Sequence, residues 1–222
     1  MTDLGGTGLI ADDLYLLAHH DVTGKPFVQP RALGLGIGAG LLAELVLPGA
    51  ITVGRGSVVP VARRIRGDES VTGRLLNLMV SEPERHPVRE WLLFCARTAA
   101  EDVATRLERS GYLATAGGRV PWRGKRWVPV DVDCAFAPLL RVRAALDASR
   151  PPSARGAVLA GLAAASGLGF RLKEYAVPRL PRSVEETVEY LDYGLRELVA
   201  QTQAAVDSAI LLPRQKPSPH RT

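Results

Sequence analysis

The segment 31–47 constrains the fold most strongly, because it is almost entirely apolar and carries glycines at helical spacing. The glycines recur in pairs four residues apart and so share faces of a helix: Gly34 with Gly38, and Gly36 with Gly40. Side chains this small allow a neighbouring helix to approach closely. Pro48 and Gly49 then provide a stop signal. The pattern predicts a helix over Arg31–Leu47 against which other helices pack tightly.

The same segment contains Gly-x-Gly-x-x-Ala, from Gly34 to Ala39, a pattern that occurs in dinucleotide-binding folds. That fingerprint belongs to a strand–turn–helix unit with an acidic residue about 20 positions later. No strand pattern precedes Gly34, because Pro30 and Arg31 already begin the helix. We therefore favour close helix packing over nucleotide binding at this segment.

Most of the remaining chain also shows helical patterning. A capping box at Ser183–Glu186 predicts one long helix to about Ile210, with a packed apolar seam over 184–209. The other predicted elements are helices at Leu9–His19, Thr72–Val80, Pro87–Arg97, Ala100–Ser110, Cys134–Ala148, Ser153–Ser166 and Phe170–Ala176, and a hairpin of Ala50–Val53 with Ser57–Val61. The predicted fold class is mainly α: a single compact helical domain over residues 7–211 with small β-hairpins, followed by a disordered basic tail at 212–222.

A second predicted hairpin, over residues 111–131, carries aromatic and cationic side chains near its tip. No acidic residue lies between Gly111 and Val130. The residues at and beside the tip are Trp122, Arg123, Lys125, Arg126 and Trp127. Aromatic rings beside cations suit a surface that is both apolar and negatively charged, such as a lipid headgroup layer or a nucleic acid. The spacing leaves open an alternative in which the tryptophans pack back onto their own domain.

The composition gives a weak indication of anionic partners. The formal net charge is +5, and most of the 28 basic residues are Arg, which binds phosphate well. Codon bias in a GC-rich bacterial genome explains the same abundance of Arg, Ala and Gly. The longest apolar run is shorter than the roughly 20 residues that span a bilayer, and no signal peptide is evident. We therefore expect a cytoplasmic protein, with reduced Cys95 and Cys134, whose membrane contact is peripheral.

The sequence contains no recognisable constellation for catalysis or metal binding. It has no Gly-x-Ser-x-Gly elbow, no Walker A sequence and no Cys with a plausible His base. His19, His20 and Asp21 are adjacent and point in different directions on a helix, and no second cluster completes a metal site. The acid pairs at 12–13, 101–102 and 185–186 fall near helix beginnings, where they complement the helix dipole. We expect neither enzymatic activity nor a metal or cofactor.

Several segments together resemble the Golgi phosphoprotein 3 family. The first is an apolar helix with acidic residues, Leu9–Leu17, followed by the Asp-x-x-Gly turn of Asp21–Lys25. The helix end Gly40–Ile51 is similar to the family's Leu-x-Glu-Leu-x-Leu-x-Gly-x-Ile pattern. Asp68–Leu76 and Val103–Leu113 resemble the family's later segments in order and spacing, so that the likeness extends over most of residues 7–210.

The resemblance implies a mainly α-helical fold that binds membranes peripherally, with a hairpin that inserts toward the membrane or mediates self-association. Eukaryotic members read phosphatidylinositol 4-phosphate with a Trp before the second helix, an Arg within it and two Arg before the hairpin. Arg97 matches the first of that Arg pair. The other three positions fall near Gln29 and on Gly38 and Ala100, so the resemblance implies affinity for anionic lipid without specific recognition of that phosphoinositide.

The leading hypothesis is a non-enzymatic, cytoplasmic protein that binds anionic membrane lipids peripherally. The basic residues that would engage lipid phosphates are Arg97, Arg123, Lys125 and Arg126. The aromatic residues at the membrane interface, or at a homo-oligomer contact through the 120–130 hairpin, are Trp122 and Trp127.

Two alternatives remain open at this stage. One is a nucleic-acid-binding protein with a winged-helix-like hairpin, opposed by the acidic residues of the preceding helix. Its phosphate contacts would be Arg97, Arg106, Arg109 and Arg123. The other is a protein–protein adaptor that associates through the hairpin or through the 184–209 seam.

Overall fold

Helices make up most of the fold. The computed structural model of the 222-residue chain describes residues 7–61, 70–116, 126–174 and 182–211. In chain order the elements are α1 (Ile10–Leu17), α2 (Pro30–Val46), β1 (Ile51–Gly54), β2 (Ser57–Pro60), α3 (Val71–Ser81), α4 (Val88–Cys95), α5 (Ala99–Arg109), β3 (Leu113–Ala116), β4 (Arg126–Pro129), α6 (Val132–Leu146), α7 (Ala154–Ala163), a π-helical turn (Ala164–Leu168), α8 (Gly169–Glu174), α9 (Val184–Val188) and α10 (Tyr193–Leu211).

The strands of the described residues form two antiparallel hairpins. In the first, Ile51 lies opposite Pro60, and in the second Leu113 lies opposite Pro129 and Ala116 opposite Arg126. The prediction of a mainly α fold with small β-hairpins is therefore confirmed. Residues 117–125 of the second hairpin, and the predicted tail at 212–222, lie outside the described residues.

Helix α2 lies at the centre of the fold, and its residues 32–43 are all buried. It packs against α1, α4, α5 and α10. A Cβ atom added at Gly34 would lie 2.5 Å from the Ala96 carbonyl oxygen, and one at Gly40 would lie 2.8 Å from Ala11 Cα. Both separations are shorter than van der Waals contact, so only glycine fits. The prediction that this segment is a closely packed helix is confirmed.

The prediction of one long helix from Ser183 to Ile210 was wrong. The capping box exists as predicted, but α9 ends at Val188 and α10 begins at Tyr193. The break comes from Asp192, whose Oδ1 accepts a hydrogen bond from the Leu195 backbone N–H at 2.9 Å and so starts a new helix. The apolar seam is nevertheless real, because its central residues are buried in the fold: Leu191, Leu195, Leu198, Thr202 and Ala205.

A buried cluster of charges joins four helices. In α1, Asp12 and Asp13 are only 0% and 2% exposed. Arg106 of α5 donates to Asp12 Oδ1 from Nε at 2.8 Å and bridges to both carboxylate oxygens of Glu44 in α2 at 3.1 Å. Arg141 of α6 pairs with Asp13. Burial raises the pKa of all three carboxyl groups, that of Asp13 to about 6, although the arginines oppose the shift.

The structure also bears on membrane topology and on the cysteines. Among the described residues, no helix is both long enough and apolar enough to cross a bilayer. Cys95 in α4 and Cys134 in α6 are free thiols, and burial raises the pKa of Cys95 to about 12. A thiol with so high a pKa is almost wholly protonated near neutral pH and is a poor nucleophile.

Candidate functional site

An open cavity of about 540 Å³ lies where the end of α1, the turn over residues 20–26, the start of α5 and strand β4 meet. Its lining combines cationic, aromatic and small residues. The lining residues are Tyr15, His19, Gly24, Lys25, Pro26, Ala100, Glu101, Arg126 and Trp127. Four segments that are distant in the sequence therefore build one concave surface.

The turn over residues 20–26 is held both by its own hydrogen bonds and by β4. The His20 backbone carbonyl accepts from the Gly24 N–H at 2.8 Å, and the His20 N–H donates to the Lys25 carbonyl at 2.9 Å. Gly24 has φ +61, and a Cβ atom there would lie 1.9 Å from the Trp127 carbonyl oxygen. Glycine is therefore required at position 24 for two reasons: its positive φ and its close contact with β4. Lys25 and Arg126, which flank this contact in the sequence, both line the cavity.

His19 forms a polar part of the cavity wall and is 8% exposed. Its Nδ1 lies 2.6 Å from the Tyr15 carbonyl oxygen, and its ring stacks on the Tyr15 ring with centroids 4.0 Å apart. Nδ1 must carry the proton of this hydrogen bond, which leaves Nε2 as the other polar atom of the ring. Burial lowers the pKa of His19 and raises that of Tyr15 to about 12. Both side chains are therefore neutral near pH 7.

The charged groups of the cavity are exposed, and the cations outnumber the anion. Lys25 and Arg126 contribute positive charge, and Glu101 in the first turn of α5 contributes the one carboxylate among the lining residues. The start of α5 adds the partial positive charge of a helix N-terminus. Phosphate oxygens are suitable ligands for this combination of ammonium and guanidinium groups.

Trp127 occupies an intermediate position between the core and the solvent. Its indole N–H donates to Glu108 Oε2 at 3.1 Å, and its ring is half-buried against the core while also lining the cavity. Glu108 also accepts from the Thr115 hydroxyl, which fixes the carboxylate across the β3–β4 hairpin. The alternative in which the tryptophans pack onto their own domain therefore describes Trp127 in part. Trp122, Arg123 and Lys125 lie outside the described residues.

Arg97 is exposed in the short link between α4 and α5, whereas Arg126 is exposed on β4. Arg126 lines the cavity and Arg97 does not, although Ala100, three residues after Arg97, does. Arg126 and Trp127, which are adjacent in the sequence, both line the cavity. The structure adds Lys25, His19 and Glu101, which were not predicted as site residues. The Asp21–Lys25 turn was visible in the sequence, but its contact with β4 was not.

Comparison with known protein families identifies the family to which this chain belongs. A family model described as Golgi phosphoprotein 3 (GPP34) matches residues 10–210. The chain belongs to the Golgi phosphoprotein 3 family. The match includes α1 to α10 almost completely, and thus every segment of the cavity. No curated protein sequence matches the chain.

The ligand positions implied by the Golgi phosphoprotein 3 family have different surroundings in this chain. Gln29 is exposed immediately before α2. Gly38 faces α4, and a Cβ atom there would lie 2.8 Å from Cys95 Cβ, so an arginine does not fit in this packing. Ala100 lines the cavity. Of the three replaced positions, Ala100 alone is therefore among the lining residues.

The structure weakens one contact set in each alternative hypothesis. Arg106, a phosphate contact in the nucleic-acid hypothesis, is largely buried and is already paired with Asp12 and Glu44. The 184–209 seam, an association surface in the adaptor hypothesis, packs within the protein's own core. The hairpin at 120–130 stays a predicted contact between copies of the chain.

Proposed function

We propose that this protein is a non-enzymatic peripheral membrane protein that binds anionic lipid headgroups, with the cavity beside β4 as its headgroup site. The observation that carries the proposal is the position of Lys25 and Arg126 in one open cavity opposite a single carboxylate. Membership of the Golgi phosphoprotein 3 family supports it. The work of the protein would be carried out at the cytoplasmic face of a membrane.

The charge around the cavity is sufficient for reversible adsorption. A basic residue near an anionic membrane surface contributes about 1 kcal/mol. The cavity contains Lys25 and Arg126, and the exposed Arg97 lies three residues before the lining residue Ala100. Together these three basic residues would contribute about 3 kcal/mol before the opposing effect of Glu101. This corresponds to a partition coefficient increased by about two orders of magnitude, which salt would reduce.

Exposed apolar residues next to the cavity support contact with a membrane interface. Val22 is 69% exposed in the turn that carries Gly24, and Val130 is 61% exposed immediately after β4. Gly24 contacts Trp127 and Val128. Val22 lies two residues before Gly24, and Val130 lies two residues after Val128. Apolar side chains beside cations suit the boundary between headgroups and acyl chains. The half-buried Trp127 ring adds an amphipathic group at the same place.

The proposal is tested by vesicle sedimentation of the full chain. Wild type and the double variant Lys25→Ala/Arg126→Ala are mixed with phosphatidylglycerol vesicles and with neutral vesicles at fixed low salt. We expect the double variant to bind phosphatidylglycerol about 30-fold more weakly, because it loses about 2 kcal/mol of attraction. Binding of wild type to neutral vesicles should be much weaker than to anionic ones.

A second double variant with the same charge loss provides the control. Arg143 and Arg196 are exposed on α6 and α10 and do not line the cavity. Arg143→Ala/Arg196→Ala should therefore bind anionic vesicles nearly as wild type does. Equal losses in the two double variants would show that net charge, and not this cavity, determines binding. Tight, salt-dependent binding to random duplex DNA without vesicle binding would favour the nucleic-acid alternative.

A further inference from the structure

A second cavity, separate from the site beside β4, lies between the end of α3 and the first two turns of α4. Its volume is about 280 Å³. The lining residues are Leu78, Glu82, His86, Glu90, Trp91 and Phe94. None of these residues lines the first cavity, and the lining combines three aromatic rings with two carboxylates.

All three rings line the cavity, and Trp91 is in edge-to-face contact with each of the other two. The His86 ring lies at 88° to the Trp91 ring, with centroids 5.8 Å apart, and the Phe94 ring lies at 83° to it, with centroids 5.9 Å apart. Trp91 is anchored in the core and is 7% exposed, whereas Phe94 is 46% exposed. The indole is therefore held in place by the core, whereas the Phe94 ring is open to solvent.

The two carboxylates give the cavity its charge. Glu90 Oε2 lies 3.1 Å from His86 Nδ1, and Glu82 Oε2 lies 3.7 Å from His86 Nε2. Both carboxylates are exposed, and Lys and Arg are absent from the lining residues. Glu82 and Glu90 therefore give this site negative charge, whereas cations outnumber the carboxylate in the first cavity.

We propose that this cavity binds an organic cation of the alkylammonium class, a quaternary ammonium group above all. Aromatic faces attract such ions through the ring quadrupole, Trp most strongly, and rings set at right angles can surround the methyl groups. Glu82 and Glu90 supply the balancing negative charge at the rim. The site is independent of anionic-lipid binding, because it shares no residue with the cavity beside β4.

The test uses choline chloride and its neutral isostere 3,3-dimethylbutan-1-ol, which has nearly the same shape without the charge. Binding to the full chain is followed by calorimetry and by the NMR signal of the Trp91 indole N–H, assigned with Trp91→Phe. Both titrations are run at the same pH and constant ionic strength, so that they differ only in the charge of the ligand. We expect saturable binding of choline and at least about fivefold weaker binding of the alcohol.

Variants locate the binding. Phe94→Leu should weaken choline binding about fivefold through the loss of one cation–π contact. Phe170→Leu is the matched control, because Phe170 is exposed to nearly the same extent, 48%, and lies outside this cavity. Glu82→Gln/Glu90→Gln should weaken it by about threefold to tenfold, since each partner charge at an exposed site contributes up to about a factor of five. Vesicles of phosphatidylcholine distinguish a lipid headgroup from a free solute as the source of the cation.

The proposal is overturned if choline and the neutral alcohol bind equally, or if choline does not shift the Trp91 signal. It is also overturned if Phe94→Leu and Phe170→Leu behave alike. All the substitutions except that of Trp91 are at exposed positions, and circular dichroism confirms whether each variant is folded. Failure of this test leaves sedimentation with phosphatidylglycerol vesicles unaffected, because the variants of the two tests do not overlap.

Discussion

At the scale of single residues, Asp13 combines deep burial with a titratable charge. Its carboxylate pairs with Arg141, but burial dominates and raises the pKa from the ordinary value of 3.8 to about 6. A group whose pKa is higher in the folded state binds its proton more tightly there. Its contribution to stability is therefore complete below the unfolded pKa and is lost as the pH rises through about 6.

We predict that this loss reduces the free energy of unfolding by up to about 3 kcal/mol between pH 4 and pH 7. Asp12 and Glu44 act in the same direction, since burial raises their pKa values too. Asp13→Asn cannot titrate and should give a flatter stability profile in urea melts across this range. Asp207→Asn, at an exposed position in α10, is the control and should leave the profile unchanged. Parallel profiles for Asp13→Asn and wild type would contradict the prediction.

Gly24 joins the turn over residues 20–26 to β4 and so helps to shape the cavity. Gly24→Ala would force a Cβ atom against the Trp127 carbonyl oxygen and strain a backbone with φ +61. We predict a stability loss of about 2–3 kcal/mol, measured by denaturant unfolding, together with weaker vesicle binding. Gly49→Ala separates the two causes, because Gly49 has φ +75 but no atom within 4 Å of an added Cβ. Its loss should be about 1 kcal/mol, and equal losses would show that contact with β4 is unimportant.

At the scale of the secondary-structure element, the sequence predicted most helices to within a few residues. Hydrophobic periodicity and the stop signals located α2, and helix propensity with Gly111 located α5. The division between α9 and α10 was missed because the apolar seam continues through it, so periodicity carries no mark of the break. The local signal was present in Asp192, a good N-cap residue followed by Gly194, but it competed with a longer pattern.

The cap at Asp192 can be tested directly. Asp192→Ala removes the acceptor for the Leu195 N–H and should destabilise the protein by about 1 kcal/mol in urea melts. Asp207→Ala is the matched control, since its carboxylate accepts from Gln203 on the exposed surface of α10 and caps nothing. We expect a change of less than about 0.5 kcal/mol there. If the two variants lose the same stability, Asp192 does not start α10.

At the scale of the whole molecule, the candidate site is a product of tertiary structure. The turn over residues 20–26 and strand β4 are about 100 residues apart in the sequence, and nothing in the local pattern of either shows that they meet. Arg126 and Trp127 were predictable because aromatic and cationic residues cluster in the hairpin. Lys25 and His19 were not, because a lysine in a turn and a buried histidine are common features, and only the fold shows that both line this cavity.

The proposed membrane binding should have two separable parts. The cationic part should decline as salt rises to 0.5 M, because the Debye length falls to a few ångströms. The apolar part from Val22, Val130 and Trp127 should persist, since burial of apolar surface does not depend on screening. Val130→Ser should therefore lower the binding to phosphatidylglycerol vesicles that remains at high salt by about tenfold, an effect of about 1.4 kcal/mol, while leaving the salt dependence unchanged.

Val61 provides the control for Val130, because both are 61% exposed and Val61 follows β2 in the other hairpin. Val61→Ser loses a similar amount of exposed apolar surface but should bind vesicles as wild type does at every salt concentration. Equal effects of the two substitutions would mean that general hydrophobicity governs binding, and the membrane would then have no preferred face on this molecule. If Val130→Ser, but not Val61→Ser, reduced the salt dependence of vesicle binding, the apolar contact would be needed to bring the cations to the headgroups. The two parts of binding would then not be separable.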